Sequence, residues 1–147
     1  MTTAGVARSG SCLCGAVRFA ARPEKREISA CHSGICRKWC GAPWLGVGCG
    51  NTLEVEDAGA PGVYRSSEWA ERCCCRSCGT ALCHGLVDWG LCWVSADAFD
   101  DLAGFAFAEE IFIDEKPDRY DFANDARKLT GAEVFELFDQ LQEAGHG

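Results

Sequence analysis

The sequence predicts a mainly β domain finished by one C-terminal amphipathic helix. Three observations carry this: short apolar stretches recur between glycines, prolines and aspartates; a capping motif heads an apolar stripe near the C-terminus; and twelve cysteines in 147 residues gather in close pairs. Hydrophobic residues make up 48% of the chain and charged residues 24%, near the averages of globular domains, so a packed core is expected and disorder is not.

The expected strands, in order, are Ala16–Ala20, Glu27–Ala30, Leu45–Cys49, Thr52–Glu56, Gly62–Arg65, Thr80–Leu86, Gly90–Ser95 and Phe107–Ile113. Each is bounded by turn-forming residues, the last by Lys116-Pro117-Asp118, and many short strands of this kind point to antiparallel sheets. The helix, expected over about 131–144, starts at Thr130-Gly131-Ala132-Glu133. In this capping box the threonine oxygen takes a free helix N–H and the glutamate reaches back to the cap. Val134, Phe135, Phe138 and Leu141 then share a face with Leu137 beside them, and this stripe is expected to pack on the sheet. With no repeat, low-complexity tract or linker, residues 1–147 are read as a single domain.

Composition excludes several classes. No apolar run approaches the length that spans a bilayer, so no membrane partner is expected. The net charge of -8 argues against nucleic acid. The charge is uneven: up to Val87 there are ten basic and seven acidic residues, net +3, and from Asp88 four basic and fifteen acidic, net -11. The basic part, which holds nearly all the cysteines, either attracts a small anionic ligand or is solvated surface. Met1–Gly10 has no apolar core of a signal peptide, so a cytoplasmic, reducing location is expected, where clustered cysteines are metal ligands or catalytic thiols more often than disulfides.

Cys12-Leu13-Cys14-Gly15 and Cys75-Arg76-Ser77-Cys78-Gly79 read as two metal knuckles. Each places two thiolates within one turn, and together they supply the four-thiolate set that zinc prefers in closed structural sites. Buried thiols or a disulfide are the alternatives. Cys49, Cys73, Cys74, Cys83 and Cys92 are read as small buried hydrophobes. Trp39, Trp44, Trp69, Trp89 and Trp93 are read as core, with Trp39 or Trp44 a candidate wall of a pocket; His84 and His146 carry no functional expectation.

A third cluster is Cys31-His32-Ser33-Gly34-Ile35-Cys36-Arg37-Lys38. With Gly10-Ser11-Cys12-Leu13-Cys14-Gly15-Ala16-Val17-Arg18-Phe19, Cys75-Arg76-Ser77-Cys78-Gly79-Thr80 and Ile111-Phe112-Ile113-Asp114-Glu115-Lys116-Pro117, it resembles the glutathione-dependent formaldehyde-activating enzyme family, which includes centromere protein V. The resemblance runs over about 10–122. It implies curved antiparallel sheets of the β-tent type, a structural zinc on Cys12, Cys14, Cys75 and Cys78, and a second, catalytic zinc on the family's C-H-C-x-x-C segment. This chain keeps Cys31, His32 and Cys36 of that segment, but position 33 is Ser33.

The implied chemistry is carbon–sulfur bond formation or cleavage: a thiol such as glutathione adds to a small aldehyde, as in S-(hydroxymethyl)glutathione synthase. Three thiolates leave zinc one open position where a substrate thiol can ionise. A hydroxyl at position 33 lowers the affinity for that second zinc, with Cys40 either a substitute ligand or a buried thiol. His32 is a candidate proton shuttle or a histidine held in structural hydrogen bonds. Arg37 and Lys38 are candidates for pairing with the thiol's carboxylates, as are Arg65 and Arg72 unless these are surface cations. Two rival readings are a zinc-stabilised binding module without catalysis and a thiol redox or metal-buffering protein working through Cys31 and Cys36.

Overall fold

The computed structural model describes residues 5–87 and 90–146, the side chains of 141–146 excepted. Trp89 and the side chains of Leu141 and His146 therefore lie outside the described residues. The order is β1 (Arg8–Ser11), β2 (Arg18–Ala21), β3 (Glu27–Cys31), α1 (Gly34–Cys40), β4 (Trp44–Gly48), β5 (Glu54–Val55), β6 (Pro61–Arg65), β7 (Ala70–Cys75), β8 (Ala81–Leu86), β9 (Leu91–Ser95), β10 (Ala106–Ile111), β11 (Arg127–Leu129) and α2 (Gly131–His146). The predicted strands are present with ends shifted by a few residues, and Thr52–Glu56 shrinks to the two residues of β5. Three strands, β1, β7 and β11, and helix α1 were not foreseen. No described helix is long and apolar enough to cross a membrane.

The chain forms two units. One comprises residues up to Ile28 together with Leu45–Ala106. Its smaller sheet is antiparallel in the order β1-β2-β5, and β4, β9, β8, β7 and β6 lie side by side in that order, also antiparallel. Alternate residues turn inward and give a core of Val17, Phe19, Val47, Leu82, Val94 and Phe99. Phe19 meets Phe99 edge to face at 5.3 Å between centroids. Gly10 lets β1 come this close, because a Cβ there would sit 2.4 Å from both the Ala98 carbonyl oxygen and the Phe19 ring.

Within this unit one expectation is corrected. Cys73 and Cys83, read as separate buried thiols, form a disulfide. They are direct partners in the β7–β8 register with Cα atoms 5.3 Å apart, inside the range a disulfide requires. Cys49 and Cys92 fit the hydrophobe reading: burial pushes each thiol up to about 12, so both stay neutral.

The other unit comprises Ser29–Trp44 and the chain from Phe107. Its strands lie in the order β11-β10-β3. The β10–β11 pair is parallel, a departure from the expected antiparallel pairing, with Glu109, Glu110 and Ile111 opposite Arg127, Lys128 and Leu129. The stretch from Phe112 to Ala126 is long enough for the crossover that a parallel pair needs. That stretch opens on Phe112, whose left-handed φ of 56° turns the chain into a 3-10 turn over Ile113–Glu115. Two adjacent carboxylates of this turn then cap two helices. Asp114 Oδ1 accepts from Gly131 N at 2.8 Å at the start of α2, and Glu115 Oε1 accepts from Gly34 N at 2.9 Å at the start of α1.

The predicted capping box is formed: Glu133 Oε1 accepts from Thr130 N at 2.8 Å and Thr130 Oγ1 from Glu133 N at 3.2 Å. The stripe behind it does not pack as expected. Val134 is buried, but Phe135 and Leu137 are 45% and 46% exposed. The reason is where α2 makes its contacts, against β11 and the Ile113–Glu115 turn. Gly131 lies against the Phe112 ring and Phe135 meets the same ring at 5.8 Å, so the helix is anchored by its first turns.

Gly10→Ala is expected to lower the stability by about 1–3 kcal/mol, the usual range for an overpacked core position. Because one of the atoms met is backbone, relaxation is limited. The shift in the midpoint of chemical denaturation measures it, and an unchanged midpoint would contradict the close approach of β1.

Candidate functional site

Two groups of side chains carry chemistry, one in each unit. The first is the predicted set Cys12, Cys14, Cys75 and Cys78, whose Sγ atoms all lie within 4.8 Å of one another. Among the described residues it is the one group of three or more potential ligands so gathered. The two knuckles share a backbone plan. Cys12 N donates to Val17 O and Cys75 N to Thr80 O, both at 3.0 Å, while Gly15 N and Gly79 N close the turns on Cys12 O and Cys75 O. Gly15 and Gly79 both stand in the left-handed region at φ near 80°, which is why a glycine follows each cysteine pair.

Backbone N–H groups point at the sulfurs: Val17 N lies 3.3 Å from Cys12 Sγ, and Ser77 N and Cys78 N lie 3.3 and 3.4 Å from Cys75 Sγ. Thr80 joins the knuckles, its Oγ1 being 3.1 Å from Cys78 Sγ and accepting from Leu13 N at 3.0 Å. The thiols oppose one another when they ionise. The Thr80 hydroxyl and the N–H groups of Thr80 and Cys14 draw Cys78 down to about 5. Cys14, although the Ala16 N–H pulls it down, is pushed up to about 11, chiefly by Cys12. A cation at the centre removes that conflict, so these four residues could hold a metal ion.

The second group lies in the other unit. β3 ends in Cys31 and leads through His32 and Ser33 into α1. Ser33 is the N-cap of α1: its Oγ accepts from Cys36 N at 3.2 Å and also from the Cys31 thiol at 3.2 Å. Both lone pairs of the hydroxyl are thereby used. Cys31 and Cys36 are buried, and Cys36 together with burial pushes the Cys31 thiol well above its usual range. Cys40 donates to the carbonyls of Cys36 and Ala42, at 3.2 and 2.9 Å, in the last turn of α1.

His32 is fully buried with both ring nitrogens engaged. Nε2 lies 2.8 Å from Glu110 Oε1 and Nδ1 2.9 Å from the Tyr120 hydroxyl, and the ring stacks on Tyr120 at 5.6 Å. Glu110 is equally buried on β10, and its second oxygen has Lys128 Nζ at 3.6 Å. Burial raises the pKa of Tyr120, opposed by Arg37, Lys116 and Arg119, so it is a neutral phenol at neutral pH.

Tyr120 is also on the surface of a cavity of about 580 Å³ between α1 and the Arg119–Phe122 segment. Arg37, Lys38 and Arg119 bring positive charge to its wall, against one carboxylate, Asp121, that is paired with Lys116 at 2.7 Å, and Phe122 is an apolar side. Arg37 is held in place by donating from Nε to His32 O at 2.9 Å, which leaves further guanidinium N–H groups for a ligand.

Of the predicted residues, the structure thus brings Arg37 and Lys38 to the cavity. Cys31, His32 and Cys36 lie buried, and neither they nor Trp39 and Trp44 are in its lining. Arg65 and Arg72 belong to the other unit, where Arg65 bonds the carbonyls of Ser67 and Glu68 and Arg72 is buried against Ser66. Sequence reasoning missed Glu110, Arg119 and Tyr120. A carboxylate among the apolar residues of Phe107–Ile113 was a signal for Glu110; the other two stand in an irregular segment without one.

Comparison with known proteins agrees with these motifs. The family model described as glutathione-dependent formaldehyde-activating enzyme matches residues 7–115. "Uncharacterized lyase C29B12.13" of Schizosaccharomyces pombe (strain 972 / ATCC 24843) is 36% identical over 126 residues, covering 85% of this chain and 92% of the relative. The crystal structure of a Rhodobacter sphaeroides protein, a structural-genomics target, superposes with a TM-score of 0.55 at 22% identity. It covers 63% of this chain and 87% of that one, and the likeness is one of fold.

Thr80→Val removes the hydroxyl shared by Cys78 and Leu13 while keeping the shape. Metal affinity is expected to fall about 10–100-fold, the usual effect of losing a hydrogen bond to a ligand. Competition with a chromogenic chelator measures it, and an affinity equal to that of the unmodified protein would contradict the role given to Thr80.

Proposed function

The chain belongs to the glutathione-dependent formaldehyde-activating enzyme family, and from that membership we propose that it is a cytoplasmic carbon–sulfur lyase. In the synthetic direction it adds a small anionic thiol such as glutathione to formaldehyde. The sulfur attacks the carbonyl carbon, the π pair moves to oxygen, and the oxygen takes a proton to give a hydroxymethyl thioether; the reverse breaks the carbon–sulfur bond. The observation that carries this reading is the cationic cavity beside the Cys31–Lys38 segment. In a protein of net charge -8, Arg37, Lys38 and Arg119 converge on one concave wall, which suits the carboxylates of a thiol peptide. Its volume of about 580 Å³ also falls in the range of small-molecule sites.

Zinc is the metal we assign to Cys12, Cys14, Cys75 and Cys78, since four thiolates in a closed cage are its structural donor set. Bound there, it supplies folding free energy to a small β unit. The second zinc of the family does not fit Cys31, Ser33 and Cys36 as they stand. Ser33 Oγ is occupied by Cys31 and by the helix it caps, and no step here is routed through that metal. The same feature favours one other reading, a zinc-stabilised module that binds the thiol without catalysis.

Elemental analysis of protein purified without added metal is expected to give one zinc per chain, and Ser33→Cys two; two in the unmodified protein would contradict the account of Ser33. Loss of free formaldehyde in the presence of glutathione is expected to run faster than the uncatalysed reaction. Arg119→Ala is expected to raise KM for glutathione about 10-fold with kcat held within about 2-fold, the pattern of lost ground-state binding. Glutathione binding with no rate above background would favour the binding module.

A further inference from the structure

The trio of buried His32, buried Glu110 and half-buried Tyr120 has no part in the chemistry described so far. It is costly to build: a carboxylate and an imidazole are taken out of water, on β10 and at the end of β3, and each must be matched. They partner each other at 2.8 Å and Tyr120 takes the outer nitrogen of His32 at 2.9 Å, while the outer oxygen of Glu110 makes no hydrogen bond and has only the charge of Lys128 at 3.6 Å. The end of this chain is the Tyr120 hydroxyl, and Tyr120 lines the cavity. A fully buried histidine with both nitrogens bonded cannot touch a substrate itself. It can do so through the phenol.

We propose that Tyr120 is a catalytic residue that takes the proton of the bound thiol and returns it to the aldehyde oxygen, with His32 and Glu110 as the positioned groups behind it. This rests on the thiol–aldehyde reading above and supplies the thiol activation that Ser33 denies to a second metal. With Glu110 accepting from His32 Nε2–H, the Nδ1 atom is an acceptor and the Tyr120 hydroxyl points its hydrogen at it, leaving the phenol oxygen's lone pair toward the cavity. The S–H proton passes to the Tyr120 oxygen as Tyr120's own proton passes to His32 Nδ1. The sulfur pair forms the bond to carbon and the carbonyl π pair moves to oxygen. That oxygen then takes its proton from Tyr120, as His32 Nδ1 gives one back. One proton leaves sulfur, one arrives at oxygen, and the trio ends as it began.

The surroundings suit this cycle. The charged and titratable groups facing Tyr120 are Arg37 from α1, Lys116 and Arg119 from the segment that carries it, and Cys31 from β3. Lys116 Nζ stands 5.2 Å from the centre of the ring and is tied to Asp121 at 2.7 Å. The positive groups attract an anionic thiol to the cavity. Phe122 packs on His32 at 5.8 Å and closes the imidazole from water.

The test reads the ionisation of the thiol rather than turnover. Glutathione labelled with 13C at its cysteinyl β-carbon is titrated with unmodified protein, Tyr120→Phe and Glu110→Gln at neutral pH, and the carbon shift reports thiol or thiolate. Free glutathione is mainly thiol there, since an ordinary thiol titrates at about 8.5. The expected result is a thiolate shift on the unmodified protein and a thiol shift on both variants, with glutathione still bound. Tyr120→Phe keeps the ring and its packing, and Glu110→Gln keeps a group that can accept from His32, so zinc content is expected to be held and both variants to stay folded, Glu110→Gln with a lower thermal midpoint because the charge opposite Lys128 is gone. Bound glutathione that remains a thiol on the unmodified protein, or a thiolate on Tyr120→Phe, overturns the proposal and leaves the thiol–aldehyde reading in place. Failure of glutathione to bind overturns both.

Discussion

The hydrogen bond between His32 and Glu110 is the constraint around which the unit of Ser29–Trp44 and the chain from Phe107 is arranged. An imidazole and a carboxylate buried together at 2.8 Å demand compensation, and the neighbouring elements bring Tyr120 to His32 and the charge of Lys128, at 3.6 Å, to Glu110. Lys128 reaches Glu110 because the parallel β10–β11 register places the two residues opposite each other. Tyr120 reaches His32 because the chain leaves β10 through the left-handed Phe112 and returns past α1. Removing one member of such a pair strands the other in a dry interior, a loss of about 3–5 kcal/mol. The pairing thus holds the strands and also fixes Tyr120, a residue of the cavity wall.

The same economy appears at both helix starts. The turn over Ile113–Glu115 gives Asp114 to α2 and Glu115 to α1, so the segment before Lys116-Pro117 organises two helices at once. Ser33 adds the N-cap of α1. A cysteine at that position offers only a weak acceptor to Cys36 N, so exchanging thiol for hydroxyl trades a metal ligand for a better cap. This is a physical account of how the chain tolerates a residue that departs from the pattern of its family. In the other unit the four-cysteine cluster does comparable work, joining two knuckles 61 residues apart in the chain from Cys14 to Cys75.

Much of this was legible in the sequence, and the rest was not for identifiable reasons. The knuckles declared themselves by spacing and by Gly15 and Gly79, and α2 by its capping box. β7 was hidden because Arg72-Cys73-Cys74-Cys75 reads as a cysteine cluster rather than as an alternating strand. α1 was hidden because Ser33 was weighed as a lost ligand and not as a cap. The Cys73–Cys83 disulfide depends on a strand register that spacing alone does not give. The apolar stripe of α2 was read correctly as a pattern, but no periodicity tells how far along a helix its partners extend. Tyr120 and Arg119 acquire meaning only from the cavity they enclose.

The central claim is that the thiol is bound and activated in the unit built on His32 and Glu110, while the four-cysteine cluster in the other unit is structural. Titration of 15N-labelled protein with glutathione tests it most directly. The account predicts that backbone amide shifts move in Gly34–Ala42 and Arg119–Phe122 and stay still in Cys12–Val17 and Cys75–Thr80. Shifts confined to the two knuckles, with the cavity unperturbed, would contradict it.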